Sequence, residues 1–131
     1  MNYTFFKLGS FFALLGVVLG AFGAHALKSH LTVAQLATFD TGIRYQFYHA
    51  LALILLAILS APMKNSKWLR NAGWLFTAGI ICFSGSIYLL ACREFLGIES
   101  WRWLGPITPI GGTFFIIGWG MLFLAATKQD L

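Results

Sequence analysis

Four long apolar stretches, separated by short polar segments, dominate the pattern of hydrophobic and polar positions along the chain. Each approaches or exceeds the roughly 20 residues that an α-helix needs to cross the hydrocarbon core of a bilayer. The pattern therefore predicts an all-α membrane protein, a single domain over residues 1–131 built as an up-down bundle of four transmembrane helices. The predicted spans are residues 5–27, 43–61, 68–92 and 108–126.

The first stretch also carries features of a secretory signal peptide. Lys7 precedes its apolar run, and Ala24-His25-Ala26 resembles a small-x-small cleavage site. We interpret the stretch as the first transmembrane helix.

The segment between the first and second spans has a mixed pattern. Thr32 and Gln35 have the spacing of a capping box, in which each side chain bonds to the other residue's backbone N–H at a helix start. Leu36 and Phe39 follow at helical spacing among polar residues. We therefore expect a short interfacial helix over residues 33–41 that leads into the second span.

The second span must contain polar side chains. Apart from Ser60, only residues 50–61 of this stretch are free of them, and 12 residues are too few to cross a bilayer. The predicted span therefore begins with a polar group: Arg44, Tyr45, Gln46, Tyr48 and His49.

Composition and charge agree with a membrane protein. Hydrophobic residues make up 59% of the 131 residues and charged residues 10%, against about 25% charged in soluble domains. The net charge of +5 comes from Lys and Arg scattered singly at the ends of the apolar stretches. This distribution predicts basic caps facing lipid headgroups, and it argues against nucleic acid as a partner.

The Lys and Arg residues also predict an orientation. Five lie on the side of the two termini and the turn at 62–70, and four lie on the other side. Three of the five are concentrated in that turn, so we expect both termini in the cytoplasm. The two sets are Lys7, Lys64, Lys67, Arg70 and Lys128, against Lys28, Arg44, Arg93 and Arg102.

Up-down threading brings the unusual polar residues to one side of the bundle, while the opposite half is almost entirely apolar. The end of the first span, the start of the second, the end of the third and the start of the fourth meet there. The predicted polar cluster consists of His25, Asp40, Arg44, Tyr45, Gln46, His49, Ser84, Ser86 and Tyr88, with Thr108 and Gly111 nearby.

Spacing within this cluster suggests specific pairs. Asp40 and Arg44 are four residues apart, so they can form an ion pair on one helix, either neutralising each other or serving as an anion or proton site. His49 shares a face with Tyr45 and Gln46, and we expect His25 to be its partner across the helix interface.

Three interpretations of the two histidines stay open. They can hydrogen-bond and hold the helices in register, handle protons or ions, or ligate a metal or haem. Zinc would need a third ligand, for which His30 is the only remaining histidine. We therefore assign no metal site and no cofactor.

Small residues predict close helix contacts. In the first span they recur every three or four residues and form a stripe along one face. Glycines in the third and fourth spans would permit close backbone approach or a local kink. The predicted packing positions are Gly16, Gly20, Gly23, Gly85, Gly111 and Gly112.

The cysteine spacing argues against a disulfide, and the lack of catalytic motifs argues against an enzyme. Cys82 and Cys92 lie ten residues apart in one predicted helix, about 15 Å, which is too far for a disulfide. The sequence contains no nucleophile with an evident base, no glycine-rich phosphate loop and no carboxylate pair in the spans. We therefore expect no catalytic residues.

Four motifs together resemble a known family. They are Gly20-Ala21-Phe22-Gly23-Ala24-His25, Thr41-Gly42-x-x-Tyr45-Gln46-x-x-His49-Ala50-Leu51-Ala52, Phe83-Ser84-Gly85-Ser86-x-Tyr88 and Thr108-Pro109-x-Gly111-Gly112. In order and spacing they are similar to the family called domain of unknown function 423, whose animal relatives are described as transmembrane protein 256. The resemblance implies a small multi-pass protein of bacterial inner membranes with no established activity.

These observations lead to one expectation about function and two alternatives. We expect a non-enzymatic structural or accessory protein that contacts the lipid bilayer and packs with itself or with a larger membrane complex. The first alternative is a permeation element for protons, ions or small solutes that uses His25, Arg44 and His49. The second is a subunit that binds a metal, haem or quinone.

Overall fold

The computed structural model describes residues 1–128, which are helical apart from short connections and contain no strand. Four segments are long and apolar enough to cross a membrane, which confirms the predicted fold class. The third consists of α3, one π-helical turn and α4 in succession. The elements are α1 (Tyr3–His25), α2 (Val33–Leu59), α3 (Lys67–Gly79), the π-turn (Ile80–Ser84), α4 (Gly85–Ala91), α5 (Arg93–Leu96) and α6 (Leu104–Lys128).

Helix α2 differs from its prediction. The capping box is present, since Thr32 Oγ1 accepts from the Gln35 N–H at 3.1 Å and the Thr32 N–H donates to Gln35 Oε1 at 2.9 Å. The helix that starts there continues unbroken for 27 residues. The separate interfacial helix over 33–41 is therefore not confirmed. Gly42 continues the helix and lies against the Tyr88 ring, where a Cβ atom would approach Cε1 to 2.7 Å.

The helices are arranged around a central pair. Helix α2 packs against α3, the π-turn and α4, while α1 packs mainly on α2 and α6 mainly on the third span. The fully buried side chains Leu53, Leu56 and Phe76 fill the core between the central helices. Helices α1 and α6 are consequently the outer members of the bundle, and both expose long apolar faces.

Antiparallel contacts define the register of α1 on α2. The Asn2 N–H donates to the carbonyl oxygen of Ala57 at 3.0 Å, near one end. Near the other end Gly23 lies against Phe39, so closely that a Cβ atom at Gly23 would be 3.0 Å from the Phe39 ring. The start of α1 therefore lies beside the end of α2, and the end of α1 lies beside its first turns.

Glycines bring the helices together at several levels, although not always the predicted ones. A Cβ at Gly111 would collide with the backbone nitrogen of Phe83 in the π-turn, and one at Gly16 would lie 3.3 Å from Phe47. Gly20 and Gly112 are in ordinary contact, with nearest atoms at 3.9 and 3.7 Å, and Gly85 has nothing within 4 Å. Gly85 is thus not a packing position. Gly9, in the small-residue stripe of the first span, is also tight, since a Cβ there would lie 2.7 Å from the carbonyl oxygen of Ala50. Tight positions outside that stripe and absent from the prediction are Gly42, Gly73, Gly79 and Gly118.

The contact between Gly111 and the π-turn can be tested by substitution. We expect Gly111→Ala to lower the free energy of unfolding by about 1–3 kcal/mol, because the added methyl group must displace backbone. The matched control is Gly120→Ala on the same helix, which meets nothing within 4 Å. The control should be neutral or gain up to about 1 kcal/mol from helix propensity. Thermal unfolding in detergent measures both, and equal shifts would contradict the proposed contact.

Candidate functional site

Gln46 is the central residue of a buried polar core. It lies 13 residues from each end of α2, about 20 Å along the axis, and its side chain is almost completely buried. Its Nε2 donates to the carbonyl oxygen of Phe12 in α1 at 2.8 Å, and its Oε1 accepts from the Tyr88 hydroxyl in α4 at 2.6 Å. One amide therefore connects α1, α2 and α4 at the middle of the span.

Two serines extend the polar core through the third span. Ser84 is completely buried, and its hydroxyl donates to the carbonyl oxygen of Gly42 at 2.7 Å. Ser86 Oγ lies 2.6 Å from Thr108 Oγ1 and 3.0 Å from the carbonyl oxygen of Phe83. Both contacts are satisfied when Ser86 donates to Phe83 and Thr108 donates to Ser86. The serines thereby connect the third span to α2 and to α6.

The π-turn positions these serines. A π-turn adds one residue to the helical repeat, which rotates the following residues by about 100° relative to a continuous α-helix. Ser84 is its last residue and faces α2, while the backbone of Phe83 faces Gly111 of α6. The third span can therefore present polar or close-packed positions to two neighbours at one level.

His49 joins α2 to α6. Its Nδ1 lies 2.7 Å from the carbonyl oxygen of Tyr45, and its Nε2 lies 3.0 Å from Nε1 of Trp119. A carbonyl oxygen only accepts and an indole N–H only donates. His49 is therefore neutral, with its proton on Nδ1 and the lone pair of Nε2 directed at Trp119.

Aromatic rings enclose the same imidazole. The Phe115 ring stacks on His49 with centroids 3.5 Å apart and planes 8° from parallel, and the Phe76 centroid lies at 5.3 Å. Both ring nitrogens already have partners, so a metal or a second proton could reach Nε2 only if Trp119 moved away. Within residues 1–128, every buried side-chain nitrogen and oxygen has a hydrogen-bond partner.

The predicted partnership of His25 with His49 is wrong. Helix α1 runs antiparallel to α2 with Phe12 beside Gln46. Gly23 of α1 lies against Phe39 of α2, so His25, two residues further along α1, lies at the level of about residue 37 in the first turns of α2. That level is about 18 Å along the axis from His49. It is exposed at the end of α1. The error arose because the second span was expected to begin at residue 43, whereas α2 begins at Val33.

Asp40 and Arg44 form the expected ion pair, but outside the polar core. Arg44 Nε lies 3.1 Å from Asp40 Oδ2, and the side chains are 56% and 63% exposed. Arg44 also lies 3.5 Å from the Thr41 hydroxyl. The pair thus neutralises two charges on the outer surface of α2. Tyr45, also exposed, contributes its backbone carbonyl to His49 and its ring to the stack with Phe83 and Phe115.

The structure therefore brings together part of the predicted cluster and adds members. Trp119 and Phe115 were missed. A tryptophan near the middle of an apolar span is a usable signal, because its N–H must find an acceptor away from water. The polar core consists of Gln46, His49, Ser84, Ser86, Tyr88, Thr108 and Trp119.

Comparisons with known proteins agree with the motif resemblance. The family described as "Protein of unknown function (DUF423)" matches residues 19–112, which confirms the resemblance. The chain is 44% identical to UPF0382 membrane protein YwdK of Bacillus subtilis (strain 168), covering 95% of this chain and 97% of that protein. It is 43% identical to UPF0382 membrane protein SAB0533 of Staphylococcus aureus (strain bovine RF122 / ET3-1), covering 95% of each. No solved structure matches.

The bond between Gln46 and Tyr88 predicts energetic coupling. In a double-mutant cycle of Gln46→Leu and Tyr88→Phe, we expect a coupling energy of about 0.6–2 kcal/mol, the range seen for hydrogen bonds between membrane helices. Tyr48→Phe, at an exposed position of α2, should change stability by less than about 0.5 kcal/mol. Unfolding in detergent measures all four species of the cycle, and additive effects would contradict the bond.

The protonation of His49 gives a spectroscopic prediction. In protein labelled with ¹⁵N-histidine, we expect Nδ1 of His49 protonated and Nε2 bare, with assignment by comparison with His25→Gln and His30→Gln. Trp119→Phe should shift the Nε2 resonance by removing its donor. Trp74 lies against Phe5 and not against His49, so Trp74→Phe should leave the Nε2 resonance unchanged. A His49 protonated on both nitrogens at neutral pH would contradict the assignment.

Proposed function

The chain belongs to the DUF423 family of membrane proteins, and we propose that it is a non-enzymatic structural or accessory protein that packs with itself or with a larger membrane complex. We further propose that it resides in the bacterial inner membrane with both termini in the cytoplasm. The short turn that carries Lys64, Lys67 and Arg70 supports this orientation, because basic residues concentrate in cytoplasmic turns.

The observation that carries this proposal is that the side chains of the polar core bond to one another and to neighbouring helices. Each of its side chains bonds to a neighbouring helix, and within residues 1–128 no buried side-chain donor or acceptor is left over. A catalytic or transport group needs a free lone pair or proton directed at its substrate. His49 has neither, since Tyr45 and Trp119 occupy its nitrogens. The core is suited to fastening four helices into a rigid unit.

The outer helices supply surfaces for association. Helix α1 exposes Phe11, Val17 and Phe22, and α6 exposes Ile116 and Phe123. Small residues lie exposed among them and permit close approach of another helix. They are Ser10, Ala21 and Ala24 on α1, and Gly105 and Gly120 on α6.

The alternative, a permeation element, requires a polar route between the two faces of the membrane. Leu53, Leu56 and Phe76 are fully buried at and beyond the level of the polar core and fill the space that such a route would occupy. Arg44 and His25, which the alternative would use, face outward. A route would have to form between copies of the chain.

Cysteine crosslinking in native membranes tests the proposal. With Cys82 and Cys92 replaced by serine, we expect Val17→Cys or Ile116→Cys to give a homodimer or a larger adduct. Tyr48→Cys and Ile81→Cys are equally exposed controls on the central helices and should crosslink less.

Two results would contradict the proposal. One is a protein that stays monomeric in mild detergent and gives no crosslink at any outer position. The other is proton or anion flux in proteoliposomes that falls in His49→Ala or Arg44→Ala, which would favour permeation.

A further inference from the structure

A second polar site lies at the opposite end of the bundle from the Asp40–Arg44 pair. A cavity of about 190 Å³ opens between the start of α1, the end of α2 and the start of α3. It is lined by polar residues, Asn2, Ser60, Asn65, Ser66 and Arg70, and by apolar residues, Phe5, Leu56, Met63 and Leu69, of which Met63 is the most exposed. Its volume is several times the roughly 30 Å³ that a water molecule occupies.

The connection between α2 and α3 shapes this cavity. The Met63 N–H donates to the carbonyl oxygen of Leu59 at 3.0 Å, and the Ser66 N–H donates to the carbonyl oxygen of Met63 at 3.3 Å. Local backbone hydrogen bonds therefore hold this connection. Asn65 has φ 64°, the left-handed conformation that reverses the chain before α3. The Asn2 N–H bond to Ala57 holds the start of α1 against the same turn. Backbone hydrogen bonds therefore hold the segments that carry the polar lining residues.

Several hydrogen-bond donors on the polar residues that line the cavity are unused. Asn2 Oδ1 accepts from the Phe5 N–H and Ser66 Oγ accepts from the Leu69 N–H. The Asn2 amide N–H₂, the Ser66 O–H and the Arg70 guanidinium have no acceptor within residues 1–128. Donors of this kind, with a guanidinium among them, are suited to the oxygens of a phosphate group.

Among residues 1–128, the charged side chains at this end of the bundle are all basic. Lys7, Lys64, Lys67, Arg70 and Lys128 lie at this end of the bundle. Among the residues that the structure describes, the three carboxylates, Asp40, Glu94 and Glu99, all lie at the other end. The cavity therefore sits in a field that favours an anion, at the depth where two spans end and lipid headgroups begin.

We propose that this cavity binds the phosphate headgroup of an anionic phospholipid. Arg70 and the Asn2 and Ser66 donors hold the phosphate oxygens, while the half-buried Met63 contacts the glycerol. The position of the cavity, at the level where two spans end, favours a lipid headgroup over free phosphate, because lipid phosphates lie at that depth. The site is independent of the proposed function, because it involves neither the polar core nor the outer faces of α1 and α6.

Native mass spectrometry of the detergent-purified full chain tests the site. We expect one dioleoyl phosphatidylglycerol to be retained in preference to dioleoyl phosphatidylcholine. Arg70→Gln should weaken that retention on the order of tenfold, as expected for loss of a charge-assisted hydrogen bond. Arg70 is exposed and makes no bond that holds the fold, so its variant should unfold at the wild-type temperature in lipid-free detergent.

Two matched variants separate this site from general charge attraction. Lys64→Gln removes a charge from the same turn outside the cavity lining, and Arg102→Gln removes one at the other end; both should keep the preference. Equal retention of the two lipids, or equal loss in Lys64→Gln and Arg70→Gln, would overturn the proposal. Displacement of the lipid by millimolar inorganic phosphate would assign the cavity to a free anion and overturn it as well.

Discussion

Hydrogen bonding in the absence of water is the constraint on which this structure depends. An amide at the middle of a membrane span has no solvent to bond with, so its donors and acceptor must find partners on neighbouring helices. Gln46 meets this requirement with a carbonyl oxygen of α1 on one side and a hydroxyl of α4 on the other. A shift of either helix by one residue would leave a buried polar group unpaired, so these bonds determine the register of the bundle.

The close contacts of the backbone depend on the same register. Ser84 reaches the carbonyl oxygen of Gly42 only because Gly42 has no side chain to separate the helices there. The π-turn then brings Phe83 against Gly111, so that α6 contacts the third span about one helical turn from Thr108, which bonds to Ser86. Polar bonds and glycine contacts thus occur at common levels and reinforce each other. This arrangement suits a rigid unit that exposes the outer faces of α1 and α6.

Much of the architecture could be read from the chain. Continuous apolar stretches of the required length predict spans because lipid admits few alternatives to a helix. The capping box at Thr32 and the ion pair of Asp40 with Arg44 depend on residues three or four apart, and local spacing is sufficient for both. The polar residues within the spans indicated where helices would be joined. Gln46, His49, Ser84, Ser86 and Tyr88 were all identified in this way.

Local sequence patterns did not predict how deep each polar residue lies in the bundle or which residue it contacts. The first polar turns of α2 looked like a separate element, so His49 was placed too close to the level of His25. Antiparallel contacts with α1, not hydropathy, establish that Gln46 lies at the middle. The π-turn has no recognisable motif, yet it rotates the part of the third span that follows it, Gly85–Ala91. The pairing of His49 with Trp119 joins residues 70 positions apart, and which residues meet over such a separation depends on how whole helices pack. Local chemistry therefore specified the helices and their polar residues, whereas packing across the bundle selected each residue's partner.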